Sequence, residues 1–356
     1  MNAALFYGPN DIKIENIDLN TDSQDEIVLK TLSCSVCSYD VRTFRNGSFK
    51  VTPPVILGHE ICAKTIADYR GKNFSIKSNS RVSVYPVIPC FACWFCKSRK
   101  YNLCSNIKEI GSTVNGGFAE FISVPKKIFE IGGIVPVPEE ISDEEASLIE
   151  PLACCINGMN QIKNLDFEAI IIIGDGPIGL MQLMLSKKIF PKSKIAIIGK
   201  ISHRLESARW MGADKVVEIK DDYLDHDLSS LKELGGQRSP NLVFISNNNP
   251  NSINLALKLV NKNGKIVIFS GIKKKIDTGT TKLINIDPNF IHYEQISIFG
   301  SFSSNPENLR EAMSLVSSNE IKLKQLITNI FSLHELEKAQ TTAESFHGLK
   351  SIINKF

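Results

Sequence analysis

Four cysteines fall within fifteen residues in the stretch "CFACWFCKSRKYNLC", at positions 90, 93, 96 and 104. The spacing C-x2-C-x2-C-x7-C offers four thiolates and no histidine, the donor set of a closed tetrahedral zinc site with Zn–S distances of about 2.3 Å. Protein fills all four positions of such a site, so no substrate can enter. Cys90, Cys93, Cys96 and Cys104 are therefore expected to fix a lobe of about residues 88–106. An iron–sulfur cluster uses the same donors, but the bacterial ferredoxin spacing C-x2-C-x2-C-x3-C-P differs at the last step.

A second stretch, "IIIIGDGPIGLMQL", sets Gly174, Gly176 and Gly179 directly after an apolar run and at the head of a helical one. Between a strand and a helix, this G-x-G-x-x-G serves a dinucleotide. The first glycine makes the turn, the second lets backbone approach a pyrophosphate, and the third packs helix on strand. Pro177 and Ile178 open the helix, whose free N–H groups face the phosphates. The fingerprint expects an acidic residue about 20 positions on, at the end of the next strand, to hold the ribose. Counting from Gly179 reaches Gly199, followed by Lys200 and then Arg204. With no carboxylate at that position and cations nearby, NADP is expected over NAD.

The elements that must carry these residues are legible in outline. "EIVLKTL", "RVSVYPV" and "FAEFISVP" read as short strands in a β-rich first part. "VPEEISDEEASLIEPLACCINGMNQI" turns helical, with Ser142 as its cap. From there "EAIIIIG", "KIAIIG", "NLVFIS" and "KIVIFSG" are buried strands, with helices between the first two pairs of that list and again in "NSINLALKLVNKNG". Apolar strands separated by helices make a parallel sheet covered on both faces. The tail "NPENLREAMSLVSSNEI" reads as a further helix.

The chain of 356 residues is 43% hydrophobic and 22% charged with a formal net charge of +3, as in a soluble globular protein with no electrostatic case for nucleic acid or a membrane surface. The longest basic run, Lys273–Lys275, is expected to be a solvated loop. The N-terminal stretch has no basic start and apolar core of a secretion signal, and no apolar run approaches the ~18 residues of a membrane span. Bunched cysteines in such a chain indicate metal ligands in a reducing compartment, so a cytoplasmic location is expected.

Three further fragments stand out: "CSVCSYD" with Cys34, Cys37, Tyr39 and Asp40; "ILGHEI" with His59 and Glu60; and "IEPLAC" with Glu150. Singly, each is an ordinary buried residue. Together with the glycine turn and the cysteine lobe, and in this order, they resemble the medium-chain, zinc-dependent alcohol dehydrogenase superfamily. "GHE" and the later "EPLA" are most similar to its polyol (sorbitol) and threonine dehydrogenase branch. The resemblance runs from "FYGPNDIKIENI" to "LITNIFSLHELEKA" and implies an α/β fold. A Rossmann doubly wound parallel sheet (151–284) would be inserted into a β-rich, GroES-like catalytic domain built from 1–150 and 285–356.

The resemblance also implies two zinc ions per chain, one structural and one catalytic. Cys37, His59 and Glu60 would hold the catalytic ion, with Glu150 close enough to replace or join Glu60. Asp40 would orient His59, and Cys34 and Cys62 would only pack. Where relatives carry a small hydroxyl that relays the substrate proton, this chain has Tyr39, which either takes that role or shapes the pocket. Where some carry a histidine, it has Arg42, which could bind a phosphate or carboxylate. Phe302, Ser303 and Ser304 would approach a polyol or sugar-like substrate. The expected activity is NAD(P)-dependent interconversion of a secondary alcohol and a ketone by a homodimer or homotetramer. A threonine-type amino-alcohol dehydrogenase and a non-catalytic zinc- and nucleotide-binding protein are the alternatives.

Overall fold

The computed structural model describes residues 1–19, 25–71, 74–219, 231, 234, 242–272 and 286–356; the basic run Lys273–Lys275 lies outside the described residues. It forms two units, Met1–Cys154 with Ser303–Phe356, and Cys155–Phe302.

Both chain ends build the first unit. Its largest sheet runs in the order Ile134–Pro136, Arg81–Val84, Glu60–Thr65, Glu26–Ser35, Lys350–Lys355, Ile327–Ser332, with Phe121–Pro125 also paired to Glu26–Ser35. The C-terminal strand enters beside Glu26–Ser35 because "KSIINK" carries Ile352 and Ile353, both fully buried, into register with Ser35 and Cys34. Ser142 caps the helix Asp143–Ser147 as expected. Its hydroxyl accepts the Glu145 N–H at 3.2 Å while its own N–H reaches the Glu145 carboxylate at 3.5 Å. The next helix, Ile149–Met159, carries Glu150 in its first turn.

The second unit is a six-stranded parallel sheet. In sequence order its strands are Ala169–Ile173, Lys194–Gly199, Lys215–Glu218, Leu242–Ile245, Lys265–Ile268 and Ser297–Gly300, and their spatial order is 3-2-1-4-5-6. This is the doubly wound dinucleotide-binding order, whose switch point lies beside the first strand. Ile170 to Ile173 are all fully buried, each contributing roughly 1.5–3 kcal/mol of burial. The sixth strand pairs with Lys265–Ile268, so residues 286–302 belong to this unit. The boundary expected at 284/285 therefore falls at 302/303, and the one expected at 150/151 falls at 154/155. Among the described residues no helix is long and apolar enough to cross a membrane.

Candidate metal and coenzyme sites

Strand register assembles one site at a single end of the first unit's sheet. Ser35, the last residue of its strand, lies opposite Glu60 on one side and Ile352 on the other. Cys37 follows two residues beyond Ser35 and opens the helix Ser38–Asn46. His59 immediately precedes Glu60, after a turn that Gly58 makes at φ +92°. The ligand atoms of Cys37, His59 and Glu60 consequently all lie within 4.8 Å of one another.

Asp40, fully buried, organises the first two of these residues. Its Oδ2 accepts the Cys37 N–H at 2.9 Å, and its Oδ1 accepts the Gly58 N–H at 3.3 Å and lies 3.5 Å from His59 Nδ1. The other imidazole nitrogen, Nε2, is thus the one open to a cation. Burial pushes the His59 pKa down, but the charges of Asp40 and Cys37 outweigh it and hold the ring well above its ordinary value.

A residue with no sequence signal completes the group. Lys350, buried at the start of the C-terminal strand, donates to Glu60 Oε2 at 2.5 Å and to the Val36 carbonyl at 3.2 Å. The Ser35 hydroxyl donates to the same carboxylate oxygen. Burial opposes the Lys350 charge, yet Glu60 and Cys37 raise its pKa above the usual lysine value. Cys37, Asp40 and Glu60 thus bring three acidic side chains around a site with a single buried lysine. Such a donor set, one thiolate, one imidazole and one carboxylate, suits zinc with a position to spare.

Glu150 is not brought into this group. It is buried nearby and accepts the Cys154 thiol at 3.1 Å through Oε1; burial raises its pKa, and the Glu60 charge adds to that while His59 opposes it. It lies outside the 4.8 Å group, close enough for its charge to be felt by His59 and Glu60. The Tyr39 ring stands edge-on to His59 at 5.9 Å, and its hydroxyl lies 3.1 Å from Ser112 Oγ and 3.3 Å from Ser48 Oγ. Neither serine was marked by the sequence, since lone hydroxyls carry no pattern. Arg42 lies half-buried on the Tyr39 helix. Cys34 and Cys62 are fully buried, and burial holds both thiols well above their usual pKa. Ser304 is fully buried, with its carbonyl taken by the Tyr85 hydroxyl at 2.7 Å, so it presents no free surface hydroxyl to a substrate; Phe302 is about half exposed.

The four-cysteine lobe is built for a cation throughout. Sulfur–sulfur distances of 3.9 Å (Cys90–Cys96), 3.5 Å (Cys93–Cys96) and 3.9 Å (Cys93–Cys104) bracket the edge of about 3.8 Å that a tetrahedron with 2.3 Å bonds requires. Backbone N–H groups of Cys90 and Asn106 point at Cys104 Sγ, at 3.2 and 3.4 Å. The N–H groups of Ser105 and Cys96 lower the Cys93 thiol to about 6, while burial and the neighbouring sulfurs push Cys96 up to about 12. Four thiolates can coexist here only around positive charge.

In the second unit, Gly174 makes its turn at φ +133°, and a methyl group at Gly179 would overlap the Gly174 carbonyl. Pro177 and Ile178 begin the helix Pro177–Ile189, capped at Gly176. The strand end at Gly199 is not free of carboxylate. Asp175 reaches across from the turn and takes the Lys200 and Ile201 N–H groups on Oδ2, at 2.9 and 2.7 Å. Arg204 is buried and electrostatically paired with Asp175. The strand end expected to lack a carboxylate thus receives one from the preceding turn, while Lys200 and Arg204 remain beside it.

Comparison with known proteins agrees with these features. A family model described as alcohol dehydrogenase GroES-like domain matches residues 23–139, and one described as zinc-binding dehydrogenase matches 177–318. D-arabitol-phosphate dehydrogenase of Enterococcus avium is 30% identical over 329 residues, 91% of this chain and 88% of its own. Sorbitol dehydrogenase of Bacillus subtilis is 29% identical over 350 residues, 97% of this chain and 94% of its own. A zinc-binding dehydrogenase of Sinorhizobium meliloti, solved with NADP, superposes with a TM-score of 0.86 at 23% identity, covering 99% of this chain and 98% of that one.

Two outcomes follow from the charge balance. Lys350→Met strands the Glu60 carboxylate and is expected to cost about 3–5 kcal/mol of stability in urea denaturation, much of it recovered in the Lys350→Met/Glu60→Gln double variant. Cys104→Ser is expected to remove one metal ion per chain by elemental analysis and to lower the melting temperature.

Proposed function

Because this chain belongs to the zinc-dependent medium-chain alcohol dehydrogenase superfamily, in its polyol branch, we propose that it oxidises one secondary hydroxyl of a polyol, sugar or sugar derivative to the ketone, reversibly. The alcohol loses a hydride to the nicotinamide of NAD(P) and a proton to solvent, and the reverse reaction takes both back. The observation that carries this reading is the convergence of Cys37, His59 and Glu60 at one sheet end, separate from a four-thiolate lobe that could not serve a substrate.

Zinc held by Cys37, His59 and Glu60 would supply an open coordination position, ease deprotonation of a hydroxyl and polarise a carbonyl. The chain supplies the rest. Asp40 fixes the imidazole through Nδ1, while Ser35 and Lys350 fix Glu60 through Oε2 and leave Oε1 for the cation. Tyr39, beside His59, passes the substrate proton to Ser48, which is half-exposed and can release it to water. The glycine turn and the head of the helix Pro177–Ile189 hold the coenzyme pyrophosphate. The second zinc, in the Cys90–Cys104 lobe, is architectural, giving two ions per chain. The same reading has the chain acting in the cytoplasm as a homodimer or homotetramer. The edge strand Ser297–Gly300, with Ile298 37% exposed, offers a second copy an edge on which to continue the parallel sheet.

A screen of polyols, polyol phosphates and amino alcohols with both coenzymes, alongside metal analysis, tests the reading. Turnover on polyols with two zinc ions per chain is expected; one ion and no turnover on any alcohol would make this a non-catalytic member of the fold. Tyr39→Phe is expected to lower kcat about 100-fold with little change in coenzyme binding. Unchanged turnover and pH profile would leave Tyr39 as a pocket wall alone.

A further inference from the structure

Asp175 sits in a turn whose geometry does not call for a charge. A G-x-G-x-x-G turn specifies its glycines and leaves the residue between the first two open. Here that residue sends its carboxylate across the end of the neighbouring strand, Lys194–Gly199. Oδ2 accepts two successive backbone N–H groups, those of Lys200 at 2.9 Å and Ile201 at 2.7 Å. A Cβ built on Gly199 would overlap the Cβ, Cγ and Oδ2 atoms of Asp175. The glycine at the strand end and the aspartate in the turn are therefore one arrangement, since any side chain at 199 would expel the carboxylate from its place.

That place matters chemically. In a doubly wound sheet of this order, the end of the second strand is where a dinucleotide's adenosine ribose lies, and the usual acidic residue projects there from the strand itself. This chain delivers the carboxylate from the preceding turn. A carboxylate beside the ribose accepts a hydrogen bond from its hydroxyls and repels a 2′-phosphate. The surrounding charges do not reverse that preference. Arg204 is buried and electrostatically paired with Asp175. Glu218, aligned with Gly199 on the next strand, adds a second carboxylate, which accepts the Ser202 hydroxyl at 3.0 Å. Asp175 and Glu218 thus offset Lys200 and Arg204, leaving no net positive charge for a phosphate dianion.

We infer that Asp175 sets the coenzyme choice of this chain and makes it prefer NAD(H) to NADP(H). The inference rests on the nicotinamide-dependent reading above and names which form of the coenzyme that site takes. It is tested by titrating the full-length, zinc-loaded protein with NADH and with NADPH, following nicotinamide fluorescence, so that the readout is binding and not turnover. NADH is expected to bind at least about tenfold more tightly. Asp175→Asn keeps an oxygen acceptor for the Lys200 and Ile201 N–H groups and removes only the charge. It is expected to tighten NADPH about tenfold while changing NADH far less. An aspartate that merely held the turn would leave the ratio of the two affinities unmoved in this variant, and that result overturns the inference. If the variant fails to fold, the wild-type ratio decides: NADPH binding as tightly as NADH defeats the inference and leaves the dehydrogenase reading intact. Binding of neither coenzyme defeats both.

Discussion

Buried charge has to be balanced where it stands, and in the first unit Glu60 is the point on which the balance turns. Its carboxylate is almost wholly out of water, with Lys350 and Ser35 on one oxygen. On its own, an ion pair of this kind returns little more than the desolvation it costs, so its presence argues less for stability than for placement. Three adjacent strands contribute one residue each, and all three residues lie at the same sheet end as Cys37 and His59. The lysine and the serine hold one oxygen of the carboxylate in place, so the carboxylate can serve as a hard donor beside a thiolate and an imidazole. Without that fixed anion the remaining donors would number two.

What could be read from the sequence is what the chain encodes locally. The cysteine lobe declares itself because four sulfurs within fifteen residues can converge with only loop geometry between them. The inner parallel strands declare themselves because burial on both faces leaves uninterrupted apolar runs such as Ile170 to Ile173. The sixth strand carries no such run because an edge strand is only half covered: Ser297–Gly300 alternates between partly buried and exposed residues and resembles a loop. With that stretch read as loop the boundary is expected at 284, whereas the strand carries the second unit to Phe302. Lys350 escaped for a related reason. It lies 290 residues from Glu60, and a single lysine at the head of a strand is indistinguishable in sequence from a solvated one until the strand order is known.

The two metal-capable groups differ in how they are assembled, and the difference suits their expected work. The lobe's donors come from one short segment whose N–H groups turn onto the sulfurs, so the segment and a cation bound there would order each other. The other group draws Cys37 from the cap of a helix, His59 from a turn and Glu60 from the strand that follows it, already aligned by the sheet and by Asp40. Donors fixed by long-range structure need no help from the cation to stay together. Such a group can afford an incomplete coordination shell, whereas a loop closed by its own metal cannot.

Asp175 and Tyr39 show why transferring roles by chain position has limits. A fold demands a charge or a hydroxyl at a point in space, and any element passing that point can supply it. At the end of the second strand the carboxylate comes from the preceding turn, and the residue that would ordinarily carry it is a glycine that makes room. Beside His59, a small hydroxyl at the helix start is replaced by a phenol, which reaches farther and meets Ser48 and Ser112 on other segments. At the strand end the vacated volume and the incoming group are complementary, so Gly199 and Asp175 make sense only as a pair. A sequence scan that inspects one position at a time finds only the glycine at 199, whereas the coordinates hold both halves and set a carboxylate at the strand end.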